Sequence, residues 1–224
     1  MAHQIGLILY PELTQLDLTG PFEVFSRMPD SQVHLIWKTL DAVTSDTGLR
    51  LLPTTVMEEC PQLDVICVPG GPGQIDFMDD DEILGFLRKQ AKKAKFVTSV
   101  CTGSLLLGAA GLLDGYNAST YWASTEFLSG YGAHYQKGRV VKDRNRITGG
   151  GVTAGIDFAL TAVAELADER TAKMIQLMIE YNPDPPFNSG HPDVADPETV
   201  RALREIMKDR IAARKLQAKL VPPR

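Results

Sequence analysis

The chain has 224 residues, of which 44% are hydrophobic and 23% are charged, and its formal net charge is −5. This is the composition of an ordinary globular protein, and the length suits one large α/β domain better than two small ones. The acidic balance argues against a nucleic-acid partner, and no apolar run reaches the roughly 20 residues that a membrane span needs.

The N-terminal half alternates predicted strands with predicted helices. Residues 4–10 form an apolar run that Pro11 ends, so they predict a first strand. Thr19 and Pro21 then indicate the cap and the first turn of a helix. The other elements predicted before Cys101 are a strand at 31–40, a hairpin at 42–56 with Asp46 and Gly48 near its turn, a buried strand and glycine-rich turn at 63–73, an amphipathic helix at 79–94 and a strand at 95–100.

The C-terminal half is richer in predicted helices. Its predicted elements are a helix from Thr102 towards Ala110, a short helix at 122–128, strands at 139–143 and 144–150, one long or two consecutive helices at 151–181, a proline-rich surface segment at 182–197 and a last helix at 197–217. Strands that alternate with helices, with continuous apolar runs in the central strands, predict an α/β fold. In such a fold helices cover both faces of a mostly parallel sheet.

The three cysteines have a spacing that fits neither a zinc site nor a disulfide framework. Cys67 lies in an apolar strand, where a small buried side chain is the favoured interpretation, and Cys60 carries no local signal. Cys101 stands between a strand and the next helix. A sharp turn there lifts the thiol above the sheet and brings it to the helix N-terminus, whose N–H groups stabilise a thiolate. Cys101 is therefore either a nucleophile, which we favour, or one more buried cysteine.

A nucleophilic cysteine needs a partner, and none of the four scattered histidines stands at a strand end near Cys101. A carboxylate is the nearest alternative, and Asp17 follows the first strand after a short loop. Gly70 and Gly71 end another strand, where backbone N–H groups could face a developing anion, as in an oxyanion hole. A turn or cap role for Asp17 and a simple tight turn for the glycines are the alternatives, and the sequence leaves them open.

Four motifs together resemble the DJ-1/PfpI superfamily. They are LDLTGP at 16–21, DVICVPGG at 64–71, SVCTGSLLLGAAGLLDG at 99–115 and TGGGVTAGIDFAL at 148–160. These motifs stand in the family's order and extend over nearly the whole chain. Within the superfamily the chain is most similar to the isocyanide hydratases, which share the aspartate, a cysteine followed by threonine, and a PPF segment after the glycine-rich run.

The resemblance implies a flavodoxin-like fold of the class I glutamine amidotransferase type. It implies a single domain over 1–224, with a C-terminal extension over about 182–224 that wraps the surface and ends in a helix. It further implies a homodimer with a small-molecule substrate and with neither a metal nor an organic cofactor. The implied activity is the hydration of isocyanides to N-substituted formamides.

The resemblance also assigns roles to individual residues. Cys101 corresponds to the nucleophile, Asp17 to the general acid/base and Thr102 to a hydrogen-bonding group near the reaction centre. The candidates for substrate binding or for stabilising an oxyanion are Gly70, Gly71, Gly150 and Gly151, of which Gly71 belongs to the turn that faces the thiol. Tyr121 is a departure, since many relatives have a histidine there, and this disfavours protease-like chemistry.

The chemistry of the implied pair follows from electrostatics. Two adjacent anions repel each other, so a thiolate stabilised by the helix terminus is expected to raise the pKa of Asp17 and keep it protonated. The carboxyl group would then protonate the isocyanide carbon that the thiolate attacks. Once ionised, it would activate water to cleave the resulting thioimidate.

Three other functions fit parts of the pattern. They are a glyoxalase- or deglycase-like enzyme acting on 2-oxoaldehydes, a redox sensor based on Cys101, and a transcription regulator. The regulator is disfavoured, because too little chain follows residue 217, up to the tail KLVPPR, for a DNA-binding module. The N-terminal residues lack the basic region of a signal peptide, which predicts a cytoplasmic protein.

Overall fold

The structure is a computed structural model and describes residues 2–220. Met1 and residues 221–224, which include most of the tail KLVPPR, lie outside the described residues. The strands are β1 (His3–Ile8), β2 (Ser31–Trp37), β3 (Val43–Thr44), β4 (Arg50–Leu51), β5 (Thr55–Val56), β6 (Val65–Val68), β7 (Phe96–Val100), β8 (Asn117–Ala118), β9 (His134–Tyr135), β10 (Val140–Asp143) and β11 (Arg146–Gly149). The α-helices are α1 (Gln15–Phe25), α2 (Asp81–Ala91), α3 (Gly103–Ala109), α4 (Ala154–Leu166), α5 (Glu169–Met178), α6 (Pro197–Ile206) and α7 (Lys208–Leu220), and 3₁₀ helices span Pro72–Phe77 and Trp122–Tyr131.

Seven strands form one sheet in the order β10–β11–β7–β6–β1–β2–β5. Neighbouring strands run parallel, except for β10 and β11, which pair antiparallel. β6 and β11 are buried along their whole length, and β1 and β7 are buried except at their first residues. This burial matches the continuous apolar runs in the sequence. The predicted fold class, a flavodoxin-like α/β sandwich, is confirmed.

Helices cover both faces of the sheet. α1 packs against α4 on one face, and α2 packs against α3 on the other. The crossing of α1 and α4 is close at two glycines. A Cβ on Gly20 would lie 3.3 Å from Ile156 Cγ1, and one on Gly155 would lie 3.0 Å from Pro21 Cδ. This close crossing holds α1, and with it Asp17, against α4.

The expected helix start at Thr19 is wrong, because α1 begins one turn earlier. Thr14 precedes the helix in an extended conformation. Its N–H donates to Gly70 O at 2.9 Å, and its hydroxyl donates to Asp46 Oδ2 at 2.8 Å. These contacts with distant segments fix where the helix starts. Asp17 is therefore a residue of the first helical turn and not the loop residue that the sequence suggested.

The C-terminal region contains two helices where one was expected at 197–217. α6 ends at Ile206 and α7 begins at Lys208. Residues 182–196 before them have neither helix nor strand and are mostly exposed. α7 packs against both 3₁₀ helices. It therefore brings the chain back to the edge of the sheet at which β6 and β7 end.

The other predicted elements agree with the structure to within a few residues. The hairpin is β3–β4, with Gly48 at a φ of +89° in its turn. Asp80 caps α2 by accepting hydrogen bonds from the N–H groups of Glu82 and Ile83. Residues 151–181 hold two helices, whereas β5, β8 and β9 were not predicted as separate strands. No helix within residues 2–220 combines the length and the apolar character that crossing a bilayer requires.

Candidate active site

The carboxyl ends of β1, β6 and β7 meet at one edge of the sheet, and Cys101 directly follows β7 there. The residue has a φ of +55°, in the left-handed region that a Cβ disfavours. Its N–H donates to Gly149 O at 3.2 Å, and its carbonyl accepts from Ser104 Oγ at 3.2 Å and from Thr120 Oγ1 at 3.0 Å. Partners from three separate segments thus hold the sharp strand-to-helix turn that carries the thiol.

Asp17, in the first turn of α1, is fully buried. Its Oδ2 accepts a hydrogen bond from Gly70 N at 2.8 Å, while Oδ1 has no partner of hydrogen-bonding geometry in the described part of the chain. Burial raises the pKa of Asp17 to about 7, even though the Gly70 N–H and the neighbouring Cys101 thiol both lower it. The Cys101 thiol is close enough to influence the pKa of the carboxyl group. A carboxyl group with this pKa can both give and accept a proton near neutral pH.

The glycine turn after β6 positions Asp17 and Thr102. Gly70 N–H is bonded to Asp17, and Gly71 N–H donates to Thr102 Oγ1 at 3.1 Å. A Cβ on Gly70 would lie 2.5 Å from Thr102 N and 2.9 Å from Asp17 Oδ2. In this structure both N–H groups are occupied, so they orient the carboxyl group and the threonine and do not face a developing anion.

The second pair of candidate glycines lies beside the turn but does not contact Cys101 through a hydrogen bond. Gly150 N–H donates to Arg139 O at 2.9 Å, and a Cβ on Gly151 would meet no atom within 4 Å. The member of this glycine run that does bind the turn is Gly149, through its carbonyl. The structure therefore brings five of the candidates together, namely Cys101, Asp17, Thr102, Gly70 and Gly71. Gly150 and Gly151 lie outside this cluster.

Cys101 is only 6% exposed, and burial raises the pKa of its thiol well above the ordinary value. The charge of Asp17 raises it further, while the Thr102 N–H and the Arg214 guanidinium lower it. Burial thus opposes the expected thiolate while the helix N–H group favours it, and the thiolate stays a prediction. At neutral pH the thiol and the carboxyl group titrate as a pair that shares protons.

No three His, Cys, Asp or Glu side chains come together as metal ligands within residues 2–220. The buried His34 is bonded to Gln4 and Thr55, which lie on β1 and β5 away from Cys101. The sequence expectation of a site without metal or organic cofactor stays a prediction.

Comparison with known proteins places this site in a family. A sequence profile of the DJ-1/PfpI family matches residues 3–165. The chain belongs to the DJ-1/PfpI family. The superfamily predicted from the four motifs is thus confirmed.

Three relatives show how far the similarity extends. The chain is 57% identical over 205 residues to an isonitrile hydratase of Pseudomonas putida, with 92% of this chain and 90% of that protein covered. A crystal structure of a THiJ/PfpI family protein from Pseudomonas syringae superposes with a TM-score of 0.95 at 44% identity, over 97% of this chain and 91% of that one. The HTH-type transcriptional regulator GbdR of Pseudomonas aeruginosa is 30% identical over 79% of this chain, which spans only 50% of the regulator.

Two residues of this DJ-1/PfpI site were not predicted from the sequence. Tyr10 follows β1, is fully buried, and donates its hydroxyl hydrogen to Pro69 O at 2.6 Å. Burial raises its pKa well above the ordinary value, and the charges of Asp17 and Cys101 add to the effect. Its position at a strand end was a usable signal. Arg214, on α7, had no comparable signal, because it is one of many basic residues in the C-terminal helices.

Tyr121, the departure from the family pattern, lies in the wall of the site. It directly precedes the 3₁₀ helix Trp122–Tyr131 and is half-buried. Its hydroxyl lies 3.6 Å from Met207 Sδ, at the junction between α6 and α7. The pKa of Tyr121 is raised mainly by burial and further by the charge of Cys101, which places the ring near the thiol. Tyr121 thus lies between Cys101 and the C-terminal helices α6 and α7.

Proposed function

We propose that this protein is an isonitrile hydratase, which adds water to an isonitrile (an isocyanide, R–NC) and releases the N-substituted formamide. The observation that carries the proposal is a cysteine and a proton-carrying carboxyl group held side by side, in a chain closely similar to a relative of that name. An isonitrile carbon accepts a nucleophile and a proton at the same atom. A thiol next to a carboxyl group of neutral pKa offers both.

The first half of the reaction adds the S–H group across the isonitrile carbon. The sulfur of Cys101 forms a bond to the terminal carbon while its proton passes to Asp17. Asp17 then delivers that proton to the same carbon, whose lone pair forms the C–H bond. The product is a covalent thioimidate, R–N=CH–S–Cys101, and Asp17 is again ionised. The free Oδ1 of Asp17 is the atom suited to this transfer, because Oδ2 is held by Gly70 N–H.

The second half hydrolyses the thioimidate. Asp17 accepts a proton from water as the water oxygen attacks the thioimidate carbon, and it passes this proton to the nitrogen of the substrate. The C–S bond then breaks as the new hydroxyl group becomes the carbonyl of the formamide R–NH–CHO. The hydroxyl proton passes through Asp17 to the sulfur of Cys101. Thr102 supports both halves, because its N–H stabilises negative charge on the sulfur and its hydroxyl is fixed by Gly71.

The test is turnover of an aryl isonitrile with the formamide identified by mass spectrometry. We expect the wild-type protein to convert the isonitrile to the formamide. We expect Cys101→Ala to fold but to be inactive. Cys60→Ala is the matched control, because Cys60 lies outside the site and should keep full activity. Methylglyoxal serves as the competing substrate. Turnover of methylglyoxal without turnover of any isonitrile would favour the glyoxalase alternative, and isonitrile turnover by Cys101→Ala would exclude the covalent mechanism.

We further propose that the protein works as a cytoplasmic homodimer without a cofactor. The family resemblance supports the dimer, and the exposed apolar side chains of Met174, Leu177 and Met178 on α5 are surface that a second chain could cover. These points are independent of the chemistry at Cys101.

A further inference from the structure

The last described helix places a cation inside the site. Arg214 lies on α7 and is only 7% exposed. Its guanidinium donates to Gly71 O at 3.4 Å, to Gln74 Oε1 at 3.3 Å and to Ser124 Oγ at 3.5 Å. The Gly71 carbonyl is also within 3.4 Å of Thr102 Oγ1, so the guanidinium reaches the peptide group that holds the residue next to Cys101.

The partners of this buried cation are unusual, because all three are neutral and all three bonds are long. A guanidinium is charged at every physiological pH, and burying a charge is costly unless an opposite charge compensates it. The ionisable groups that act on Arg214 most strongly are Cys101, Tyr10, Arg210 and Tyr121, and none of them is a carboxylate. The cation is therefore held beside a thiol and two phenols, and no carboxylate is among the groups that act on it most strongly.

Among these groups the thiol is the one that must ionise during the reaction. Burial raises the pKa of both tyrosines above their ordinary value, so they stay neutral. The titratable groups that act on Cys101 or are acted on by it are Asp17 on α1, Tyr10 after β1, Tyr121 just before the 3₁₀ helix and Arg214 on α7. Of the charged side chains among them, Asp17 opposes a thiolate and Arg214 favours it.

We propose that Arg214 is the charge-stabilising residue of this site, which supplies the positive charge for the Cys101 thiolate both when the sulfur attacks and when it leaves. In other cysteine enzymes a histidine does this, and here no histidine lies in the site. The role rests on the proposed function only in so far as Cys101 is the nucleophile. It makes the reactivity of the thiol depend on the docking of α7, a helix that lies outside the segment matched by the family profile.

The test measures thiol ionisation without any isonitrile. The rate of iodoacetamide alkylation at Cys101 is followed by peptide mass spectrometry from pH 5 to pH 10 for the wild type and for Arg214→Met, Arg214→Lys and Arg210→Met. We expect Arg214→Met to raise the apparent pKa of the thiol by about one pH unit or more, since an opposite charge nearby shifts a pKa by that amount. Arg214→Lys keeps the charge and should stay close to wild type. Arg210→Met, one turn away and exposed, is the matched control and should not change the value.

The outcomes separate charge from packing. A loosened α7 would raise the plateau rate at high pH and lower the melting temperature, whereas loss of charge moves the apparent pKa. An unchanged pKa in Arg214→Met would overturn the proposal, and so would an equal shift in Arg214→Lys, because the guanidinium would then act through its shape. If the wild type alkylates as expected and yet turns over no isonitrile, the proposed function fails while the role of Arg214 stands.

Discussion

At the scale of single residues, Cys101 combines a backbone strain with a reactive side chain. Its positive φ is held by hydrogen bonds to Gly149, Ser104 and Thr120, none of which involves the thiol. A left-handed conformation costs a residue with a Cβ about 1–2 kcal/mol. The turn is therefore maintained by its surroundings, and its geometry does not depend on the sulfur.

Replacing Cys101 by glycine should relieve this strain, whereas replacing it by alanine should not. We expect Cys101→Gly to have a free energy of unfolding about 1 kcal/mol higher than Cys101→Ala in urea titrations, after the extra entropy of glycine in the unfolded chain is counted. Cys67 in β6 is the matched site, since there the glycine variant should be the less stable of the two. Equal stability of the two Cys101 variants would show that the turn carries no strain.

The pH dependence of turnover should report the Cys101–Asp17 pair. The reactive form holds one proton between the two groups, and Asp17 has a pKa of about 7 because of its burial. As the pH falls below about 7, Asp17 becomes protonated while Cys101 keeps its proton, so the pair holds two protons. The value of kcat/KM should therefore fall on the acid side. It should fall again at high pH, when both groups are ionised.

Asp17→Asn should remove this acid limb and lower kcat/KM by a factor of about 10² to 10⁴, because asparagine cannot carry the proton. Asp17→Glu keeps the carboxyl group but displaces it, so its activity should lie between those of Asp17→Asn and the wild type. A stopped-flow profile from pH 5 to pH 10 measures both effects. An acid limb that persists in Asp17→Asn would assign the proton transfer to another group.

The ends of strands are where sequence reasoning worked best at this scale. Asp17, Cys101 and Thr102 were predicted because each follows a predicted strand of a parallel sheet and matches a family motif. The raised pKa of the thiol could not be predicted, since a helix N–H group can be inferred from sequence but the burial of the thiol cannot. The occupancy of the Gly70 and Gly71 N–H groups was equally hidden, because their acceptors lie on α1 and next to α3.

At the scale of secondary-structure elements, the turn after β6 is the part that sets the site geometry. Gly70 allows the turn to approach both Asp17 and Thr102 more closely than any Cβ would permit. We expect Gly70→Ala to fold with reduced stability and to lose at least about 10²-fold in kcat/KM, since displacements of about 1 Å have that effect on catalysis. Circular dichroism and steady-state kinetics measure the two quantities.

Gly85 in α2 is the matched control for Gly70. A Cβ there would meet no atom within 4 Å, so Gly85→Ala should keep its activity and gain up to about 1 kcal/mol of stability from helix propensity. Full activity of Gly70→Ala would mean that the turn tolerates a Cβ and does not set the positions of Asp17 and Thr102.

Element boundaries were predicted well where local chemistry decides them and poorly where distant contacts do. The start of α2 was predictable because its own acidic residues cap it. α1 starts before Thr19, since Thr14 is held by Gly70 and Asp46, which lie on other segments. The break between α6 and α7 at Met207 has no glycine or proline to mark it, so a single helix was the natural prediction.

At the scale of the whole molecule, a homodimer is the remaining expectation. Light scattering at working concentration should give about twice the 24.5 kDa mass of one chain. The physical reason is the exposed apolar surface on α5, which a partner chain would remove from water. A mass equal to one chain over the working concentration range would contradict the expectation. The measurement does not depend on activity.

The fold as a whole followed from the alternation of apolar strands and helices, and the family motifs contain most of the residues that the structure brings together at the candidate site. The role of Arg214 could not be predicted in this way. In the sequence it is one basic residue among several on two amphipathic helices, and only the packing of α7 selects it for burial. A residue that enters a site from a distant part of the chain leaves no local pattern.

The wide spacing of the site residues along the chain has a kinetic consequence. In the sheet Ile5 pairs with Val65, and Val65 pairs with Phe96. Forming these pairs closes long loops, and the loss of chain entropy comes before the stabilising contacts are made. Pairings of this kind form slowly, and α7 can dock only on the finished 3₁₀ helices. Refolding from urea is therefore expected to restore the circular dichroism signal first and the reactive thiol afterwards, with catalytic competence as the last property that the chain acquires.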